Sequence, residues 1–351
     1  MKRADVAVLI PAINEELVLA LTLESVLKII DKENIFLVND GSTDRTEQIA
    51  KKFIDNVLTI PNSGKARALN ASLEHFKLPE KYEYIFFMDA DTQPNEEFLD
   101  VTMKHFDKDL NKKVACVVGR VHGLGGSWIS KYRKWEYFIA HTIHKRAQSY
   151  LRSILVVPGC ATVYRSFVFK ELKFPRGTLT EDMDFTFLLH RNGYTNMVYE
   201  DKAVVYTQDP QTLAGYLKQI NRWYTGFWQC VRKHQLPWKG QPLDFEVAML
   251  GIEGLYNGLL IIMFFLGIPY LYLTGILHFF SKPLLLDFGI FFFPTILFSA
   301  IKNKDKTLIL YIPHFYFMRF LSCIVFIKGF FTGFMSEEKD YSWDTQRFVI
   351  K

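Results

Sequence analysis

The chain has 351 residues, of which 49% are hydrophobic and 16% aromatic, with 32 phenylalanines and a formal net charge of +5. Its basic residues are scattered and form no long run, so nucleic acid is not an expected partner. The four cysteines contain no C-x-x-C pair, and the sequence predicts neither a zinc site nor a disulfide framework. Charged residues become sparse after about residue 250, which indicates a soluble part followed by a membrane part.

The N-terminal part alternates between strand and helix patterns. Predicted strands occupy 6–13, 34–40, 56–60, 84–89, 114–121, 156–164 and 196–200, and helices occupy 16–30, 44–53, 65–76 and 95–107. Successive strand–helix units predict an α/β fold with a mainly parallel sheet that is covered on both faces. Ligands of such sheets bind at the carboxyl ends of the strands.

Each of the first four strands ends in polar residues, in the segments PAINEE, NDGSTD, PNSGKARALN and DADTQP. We therefore expect Asp40, Lys65, Asp89 and Asp91 to share one pocket. Two carboxylates one residue apart repel each other unless a cation lies between them, and a hard divalent cation prefers oxygen ligands. The sequence thus predicts Mg²⁺ or Mn²⁺ at Asp89 and Asp91, with Lys65 supplying a second positive charge to bound phosphates.

Three apolar segments are predicted to cross a membrane: 255–277, 283–301 and 308–331. The first has 23 uncharged residues, enough to span ~30 Å of hydrocarbon. The third carries Arg319, and a charge at that depth usually faces a partner or a water-filled cavity. Lysines in the loop 302–306 place this loop and residues 1–250 on the cytosolic side of a multi-pass plasma-membrane protein.

The predicted organisation has four parts: a cytosolic α/β domain over 1–235, a linker over 236–253, transmembrane helices over 254–335 and a tail over 336–351. Within the first part, the segment 211–235 has apolar residues near helical spacing. This pattern fits an interfacial helix lying on the bilayer, and a buried helix of the soluble domain fits it as well.

In their order and spacing, these motifs resemble those of family 2 inverting glycosyltransferases with a GT-A nucleotide-sugar domain. PAINEE is similar to the family's P-x-x-N-E, NDGSTDRT to D-G-S-x-D-x-T, NSGKARALN to G-K-x-x-A-L-N and DADT to the metal-binding D-x-D. TED at 180–182 and QINRW at 219–223 resemble motifs of membrane-embedded synthases of hyaluronan, cellulose and poly-N-acetylglucosamine. PGCATVYRS at 158–166 is similar to the stretch that lines the acceptor in those enzymes, and YSWDTQR resembles the ending of some bacterial members.

The resemblance implies a role for each matching residue. Asp182 would be the general base, with Glu181 beside it, although both residues also suit a simple helix cap. Asp91, assisted by Asp89, would hold the metal. Arg222 would contact the diphosphate, and Trp223 would line the acceptor site. The residues implied to contact the donor are Pro11, Ala12, Asn14, Glu15, Asp40, Lys65, Asp89 and Gln219.

The function that follows is transfer of a sugar from a UDP-sugar, favoured to be UDP-N-acetylglucosamine or UDP-glucose, to a growing polysaccharide. The alternative is transfer of a single sugar to a lipid carrier or membrane lipid. Three membrane segments are few for a polymer channel, which favours either this alternative, a homo-oligomer or an accessory subunit. A transporter or scaffold with a degenerate nucleotide-binding domain is a further hypothesis, which the intact aspartates of the motifs oppose.

Overall fold

The computed structural model describes residues 5–262, 268–274, 282 and 285–336. Its centre is an eight-stranded sheet with the strand order β3-β2-β1-β4-β7-β6-β8-β5. The strands are β1 (Val6–Ala12), β2 (Ile35–Asp40), β3 (Asn56–Ile60), β4 (Tyr84–Phe87), β5 (Gln93–Pro94), β6 (Cys116–Leu124), β7 (Thr162–Arg165) and β8 (Met197–Gln208).

The first four strands form the parallel half of the sheet. Strands β1, β2 and β4 are apolar runs that are buried along their whole length, as expected where helices cover both faces. Strand β1 pairs in parallel with β2 and with β4, and β2 pairs in parallel with β3. The carboxyl ends of these strands therefore meet at one edge, where the sequence places its polar motifs.

The other half of the sheet differs from the mainly parallel arrangement that we predicted, so the sheet as a whole is mixed. Strand β7 runs antiparallel to β4 and β6, and β5 runs antiparallel to β8, while β6 and β8 are parallel. The connection from β6 to β7 contains helical segments over 128–151, and a connection of this length permits either strand direction. The predicted strand 156–164 begins later than expected, at Thr162, since residues 156–161 are not part of the sheet.

Helices cover both faces of the sheet. The helices of this part are α1 (Leu19–Val26), α2 (Thr46–Phe53), α3 (Lys65–Phe76), α4 (Leu78–Lys81), α5 (Phe98–Lys108), α6 (Trp128–Tyr137), α7 (Arg146–Leu151), α8 (Val168–Glu171), α9 (Glu181–Arg191) and α10 (Leu213–Lys233). Helices α1, α2 and α5 pack on one face of the sheet, and α3, α8 and α9 pack on the other. The segment Phe138–Lys145 between α6 and α7 is a π-helix.

Most of the segment predicted as a linker, 236–253, is helical. Helix α11 begins at Pro242, a position at which proline suits a helix, and the backbone N–H of Gln241 donates to Asp244 Oδ2 at 2.8 Å. The C-terminal helices are α11 (Pro242–Ile262), α12 (Ile268–Thr274), α13 (Phe293–Lys302) and α14 (Ile312–Met335), and a π-helix (Asp287–Phe292) leads into α13.

Within the residues that the structure describes, one helix is long and apolar enough to cross a membrane. It covers Lys306–Met335, has 30 residues and a mean hydropathy of 1.6, and contains the third predicted segment. Residues 263–267 and 275–277 of the first predicted segment and 283–284 of the second lie outside the described residues. The tail 337–351, with YSWDTQR, lies outside them as well.

Arg319, the charged residue that we expect to have a partner within the apolar segments, is paired in the structure. The Arg319 guanidinium forms a double ion pair with Asp287, at 2.6 and 3.0 Å, and also donates to Asn257 Oδ1 at 2.6 Å. The fully buried Asp287 carboxylate accepts a further hydrogen bond from Tyr316, at 3.0 Å. These bonds join α11, α14 and the π-helix before α13 and satisfy a charge that burial alone would penalise.

Helix α10 lies against α14 with almost no space between their backbones. A Cβ atom at Gly333 would be 2.7 Å from Trp228 Cβ, and one at Gly329 would be 2.9 Å from Tyr224 Cβ. Only glycine permits this approach. On this face the segment 211–235 is thus packed against the helix that contains the third predicted membrane segment.

Candidate active site

Two loops at the ends of β1 and β2 are bonded to each other. The backbone N–H of Asn14 donates to Ser42 Oγ and the side-chain oxygen of Asn14 accepts from Thr43 N–H, both at 2.9 Å. Asn14 has a φ of 52°, a left-handed conformation that asparagine tolerates better than most residues. Of the donor-binding residues predicted in this segment, Asn14 is exposed, whereas Pro11, Ala12 and Glu15 are buried.

The buried Asp40 carboxylate fixes the loop that precedes α3. Its Oδ1 accepts from the backbone N–H of Ser63 at 2.8 Å, and its Oδ2 accepts from the N–H of Gly64 at 2.9 Å. Gly64 has a φ of 88°, which a residue with a side chain would adopt only with strain. This carboxylate, which the resemblance assigns to the donor, is therefore engaged in placing Lys65 at the start of α3.

Lys65 is the cation that stands beside Asp89. Its Nζ lies 2.6 Å from Asp89 Oδ1 and 3.0 Å from Glu181 Oε1, so one ammonium joins the end of β4 to the start of α9. Burial by itself lowers the pKa of Lys65, but Asp89, Glu181 and Asp182 outweigh it and raise that pKa above its usual value. The ammonium is therefore charged at neutral pH, and it reduces the repulsion among these carboxylates.

Asp182 lies in the first turn of α9. Its Oδ1 accepts from the N–H of Met183 at 2.8 Å, and its Oδ2 lies 3.5 Å from the backbone nitrogen of Gly159. Burial and the neighbouring Glu181 raise the pKa of Asp182 to about 6, against the opposing effect of Lys65. A carboxylate with such a pKa is ionised at neutral pH and is still basic enough to take a proton from a positioned hydroxyl.

The loop 158–160 forms one wall beside this cluster. A Cβ atom at Gly159 would lie 3.5 Å from Lys65 Nζ and 3.9 Å from Asp182 Cβ. Burial and the nearby Asp89 raise the pKa of the Cys160 thiol, so this cysteine stays protonated. The PGC segment thus lies against the predicted base, and its role in lining the acceptor stays a prediction.

Asp91, two residues after Asp89, is 7% exposed. The hydroxyls of Thr92 and Thr207 lie 3.3 Å from its two carboxylate oxygens. Across the part of the chain that the structure describes, no group of three or more His, Cys, Asp or Glu side chains is arranged to hold a metal ion. Two carboxylates still suit Mg²⁺ or Mn²⁺, because these ions complete their coordination with substrate phosphates and water.

The QINRW motif lies on α10 and faces two different partners. The Arg222 guanidinium donates to the carbonyl oxygen of Leu179 at 3.3 Å, just before the TED segment. Gln219 accepts a hydrogen bond from Arg133 of α6, and the Arg133 guanidinium lies 4.7 Å from the centre of the Trp223 ring. Arg222 therefore binds the segment just before the predicted base, whereas Gln219 and Trp223 both contact Arg133 of α6.

Sequence reasoning missed Arg133 and Asp209. Arg133 is buried and pairs with Glu136 at 3.0 Å, but an arginine and a glutamate three residues apart on a helix usually mark an exposed face. Asp209, in the turn-like segment TQDPQT, is 2% exposed, and its carboxylate oxygens have no hydrogen-bond partner among the described residues. Burial, reinforced by Glu136, raises the pKa of Asp209 to about 7, and only the tertiary structure could reveal this.

Comparisons with known proteins fit this geometry. Residues 7–173 match the sequence family described as Glycosyl transferase family 2. A poly-beta-1,6-N-acetyl-D-glucosamine synthase from Staphylococcus epidermidis is 29% identical over 248 residues, which are 66% of this chain and 58% of that protein. The enzyme of the same name from strain RP62A of that species is 27% identical over 335 residues, 93% of this chain and 79% of the relative.

The fold is shared with a solved archaeal structure. The mannosyltransferase PcManGT from Pyrobaculum calidifontis, determined with GDP-Man and Mn²⁺, aligns over 95% of this chain and 88% of its own, with a TM-score of 0.62 and 17% identity. At this identity the likeness concerns the fold, a GT-A α/β architecture with a mixed sheet.

We predict that Lys65→Met destabilises the protein by about 3 kcal/mol at about pH 8, because it leaves Asp89, Glu181 and Asp182 without their shared cation. Losing the cation raises the folded-state pKa of Asp182 further, because Lys65 otherwise lowers it. The deficit is therefore largest at high pH and shrinks as the pH falls through that pKa. Denaturant unfolding of the detergent-solubilised protein at about pH 8 and pH 5 measures both effects.

Lys51→Met is the matched control, because Lys51 forms an exposed ion pair with Glu47 four residues away. Its removal should change stability by less than about 0.5 kcal/mol at either pH. Equal losses in the two variants would contradict the importance of the Lys65 cluster.

Proposed function

We propose that this chain, a hexosyltransferase with a glycosyl transferase family 2 domain over residues 7–173, transfers a sugar from a UDP-sugar to a growing polysaccharide at a membrane. UDP-N-acetylglucosamine is the favoured donor and UDP-glucose the next. The observation that carries the proposal is that Lys65 joins the D-x-D segment and the TED segment in one cluster. A donor's diphosphate and an acceptor's hydroxyl would meet at this cluster.

The donor would bind along the carboxyl ends of β1 to β4. Asn14 is exposed there, and the charges of Lys65 and Arg222 both act on the predicted base and lower its pKa. Their positive charges suit a leaving diphosphate, whose negative charge grows as the glycosidic bond breaks. The fixed loop at Asp40 keeps the Lys65 ammonium in place before the donor arrives.

The proposed base is Asp182. In this mechanism an Asp182 carboxylate oxygen takes the proton of the acceptor hydroxyl, whose oxygen forms a bond to the anomeric carbon on the face opposite the diphosphate. The bond between that carbon and the diphosphate oxygen breaks, and UDP leaves with the electron pair. The raised pKa of Asp182, about 6, supports this role, because the group is both ionised and basic near neutral pH.

Asp91, assisted by Asp89, is the proposed holder of the divalent cation. A bound Mg²⁺ or Mn²⁺ would supply positive charge to the diphosphate oxygens of the donor. The protein's own contribution is to keep Asp91 buried and oriented by the hydroxyls of Thr92 and Thr207.

The proposed setting is the cytosolic face of a membrane. The candidate span Lys306–Met335 follows a loop whose Asp305 forms ion pairs with Lys131 and Lys134 of the catalytic domain, at 2.7 and 3.0 Å. These bonds support placing the loop and the domain on the same side. Membrane lipid, a glycan or lipid acceptor, and a second copy or accessory subunit are the partners that this setting implies.

The size of the product tests the proposed acceptor. Purified protein in nanodiscs, incubated with labelled UDP-N-acetylglucosamine or UDP-glucose and Mn²⁺ or Mg²⁺, should release UDP and yield a ladder of long chains. The relatives named as poly-N-acetylglucosamine synthases support this expectation. A product with a single sugar on a lipid would contradict polymer synthesis and support transfer to a lipid acceptor. Absence of UDP release with every sugar donor would overturn the enzymatic proposal.

We expect Asp182→Asn to lower the rate of transfer by about 10³-fold, because an amide cannot accept the hydroxyl proton. Binding of the UDP-sugar, measured by calorimetry, should be retained. Asp201→Asn is the matched control, since Asp201 pairs with the half-exposed Arg146 away from the cluster and its loss should leave turnover unchanged. Wild-type turnover of Asp182→Asn would exclude this residue as the base.

We expect Asp91→Ala to abolish the dependence of activity on added Mg²⁺ or Mn²⁺, together with most of the activity itself. Equilibrium dialysis with Mn²⁺ should show loss of bound metal in this variant and retention in Asp100→Ala, which carries its carboxylate on α5. Full activity in the presence of a chelator would contradict a metal site at Asp89 and Asp91.

A further inference from the structure

Gln229 of α10 bonds at the same time to the loop before the TED segment and to the end of α14. Its Oε1 accepts from the backbone N–H of Leu179 at 2.9 Å, and its Nε2 donates to Ser336 Oγ at 2.9 Å. The Gln229 side chain is 2% exposed, so water does not compete for either bond. One amide therefore links the segment that leads to Asp182 with the helix that is apolar enough to span a membrane.

Helix α10 makes several close contacts with the loop that precedes the TED segment. Arg222 donates to the carbonyl oxygen of Leu179 at 3.3 Å, so both polar groups of the Leu179 backbone bind to side chains of one helix. A side chain at Gly226 would collide with the Thr180 hydroxyl, and Cys230 Sγ lies 3.8 Å from the same hydroxyl. Residues 179–180 thus rest directly on α10.

The membrane side of the link is equally close. Gly333 leaves no space for a Cβ atom against Trp228, and Thr225 and Thr332 hydroxyls lie 3.1 Å apart across the two helices. Arg232 donates to the carbonyl oxygen of Phe334 at 2.6 Å, near the end of α14. A displacement of α14 would therefore also displace the part of α10 that carries Gln229.

We propose that Gln229 is a positioning residue that couples the docking of α14 to the orientation of Asp182. The inference rests on the proposed function, because it takes Asp182 as the base. Leu179 and Thr180 determine where α9 begins, and Asp182 lies in its first turn with Oδ1 bonded to the Met183 N–H. A shift of about 1 Å in this loop would displace the carboxylate from the acceptor hydroxyl, and a misplacement of that size can cost about 10²-fold in rate.

The test compares three variants of the full chain in nanodiscs, with UDP release from UDP-N-acetylglucosamine as the assay. Gln229→Leu should lower kcat by about tenfold or more and leave the KM for the donor within about twofold, since the donor site is not altered. Ser336→Ala, which removes only the α14 end of the link, should lower kcat by a smaller factor. Thr332→Val is the matched control, because it removes a hydrogen bond between the same two helices without contact to the TED loop, and kcat should not change.

Equal losses of kcat in Gln229→Leu and Thr332→Val would mean that the helix pair is merely destabilised, and the proposal would fail. A wild-type kcat in Ser336→Ala would show that α14 does not influence the loop before the TED segment and would contradict the proposed coupling. A wild-type kcat in Gln229→Leu would show that Gln229 has no positioning role. An inactive Asp182→Asn with a fully active Gln229→Leu overturns this inference alone, whereas an active Asp182→Asn excludes Asp182 as the base of the proposed function.

Discussion

The shared ion cluster around Lys65 is the constraint on which the rest of the site depends. Asp89 follows β4 and Glu181 begins α9, so the two carboxylates are 92 positions apart in the sequence, and one ammonium lies within 3.0 Å of both. Without it, three carboxylates would be crowded at one sheet edge in a partly buried setting, where their mutual repulsion is poorly screened. The cluster thus explains why a strand can end in D-x-D in this fold even before a metal is considered.

The position of that ammonium is itself determined by a chain of backbone hydrogen bonds. The Asp40 carboxylate holds the Ser63 and Gly64 peptide groups, so the first turn of α3 is built on the rigid β2 strand. A site on such a scaffold is ordered before the substrate binds, which lowers the reorganisation that the transition state would otherwise require. The electrostatics of the proposed active site follow from the geometry of the parallel half of the sheet.

The sequence predicted this half well because local patterns determine it. The apolar runs of β1, β2 and β4 and the polar residues that follow them suffice to place Asp40, Lys65, Asp89 and Asp91 at one edge. The antiparallel pairing of β7 and the helical character of 242–253 could not be predicted, since they depend on contacts distant in sequence. Arg133 and Asp209 were missed for the same reason, because the sequence does not distinguish a buried charged residue from an exposed one. Arg133 is covered by Tyr216 and Trp223 of α10, and Asp209 lies against Gly123 of β6.

The ion pairs of Asp305 with Lys131 and Lys134 have a mechanical consequence. They bind the short connection between α13 and α14 to α6. At the other end of α14, the bond from Gln229 and the close packing at the glycines hold this helix against α10. A hinge between the α/β domain and α14 would have to break the contacts at both ends of this helix together. If the chain extends a polymer as we propose, the growing product would therefore move past a fixed pair of domain and helix, and local side-chain rearrangement would have to replace any rotation of the domain.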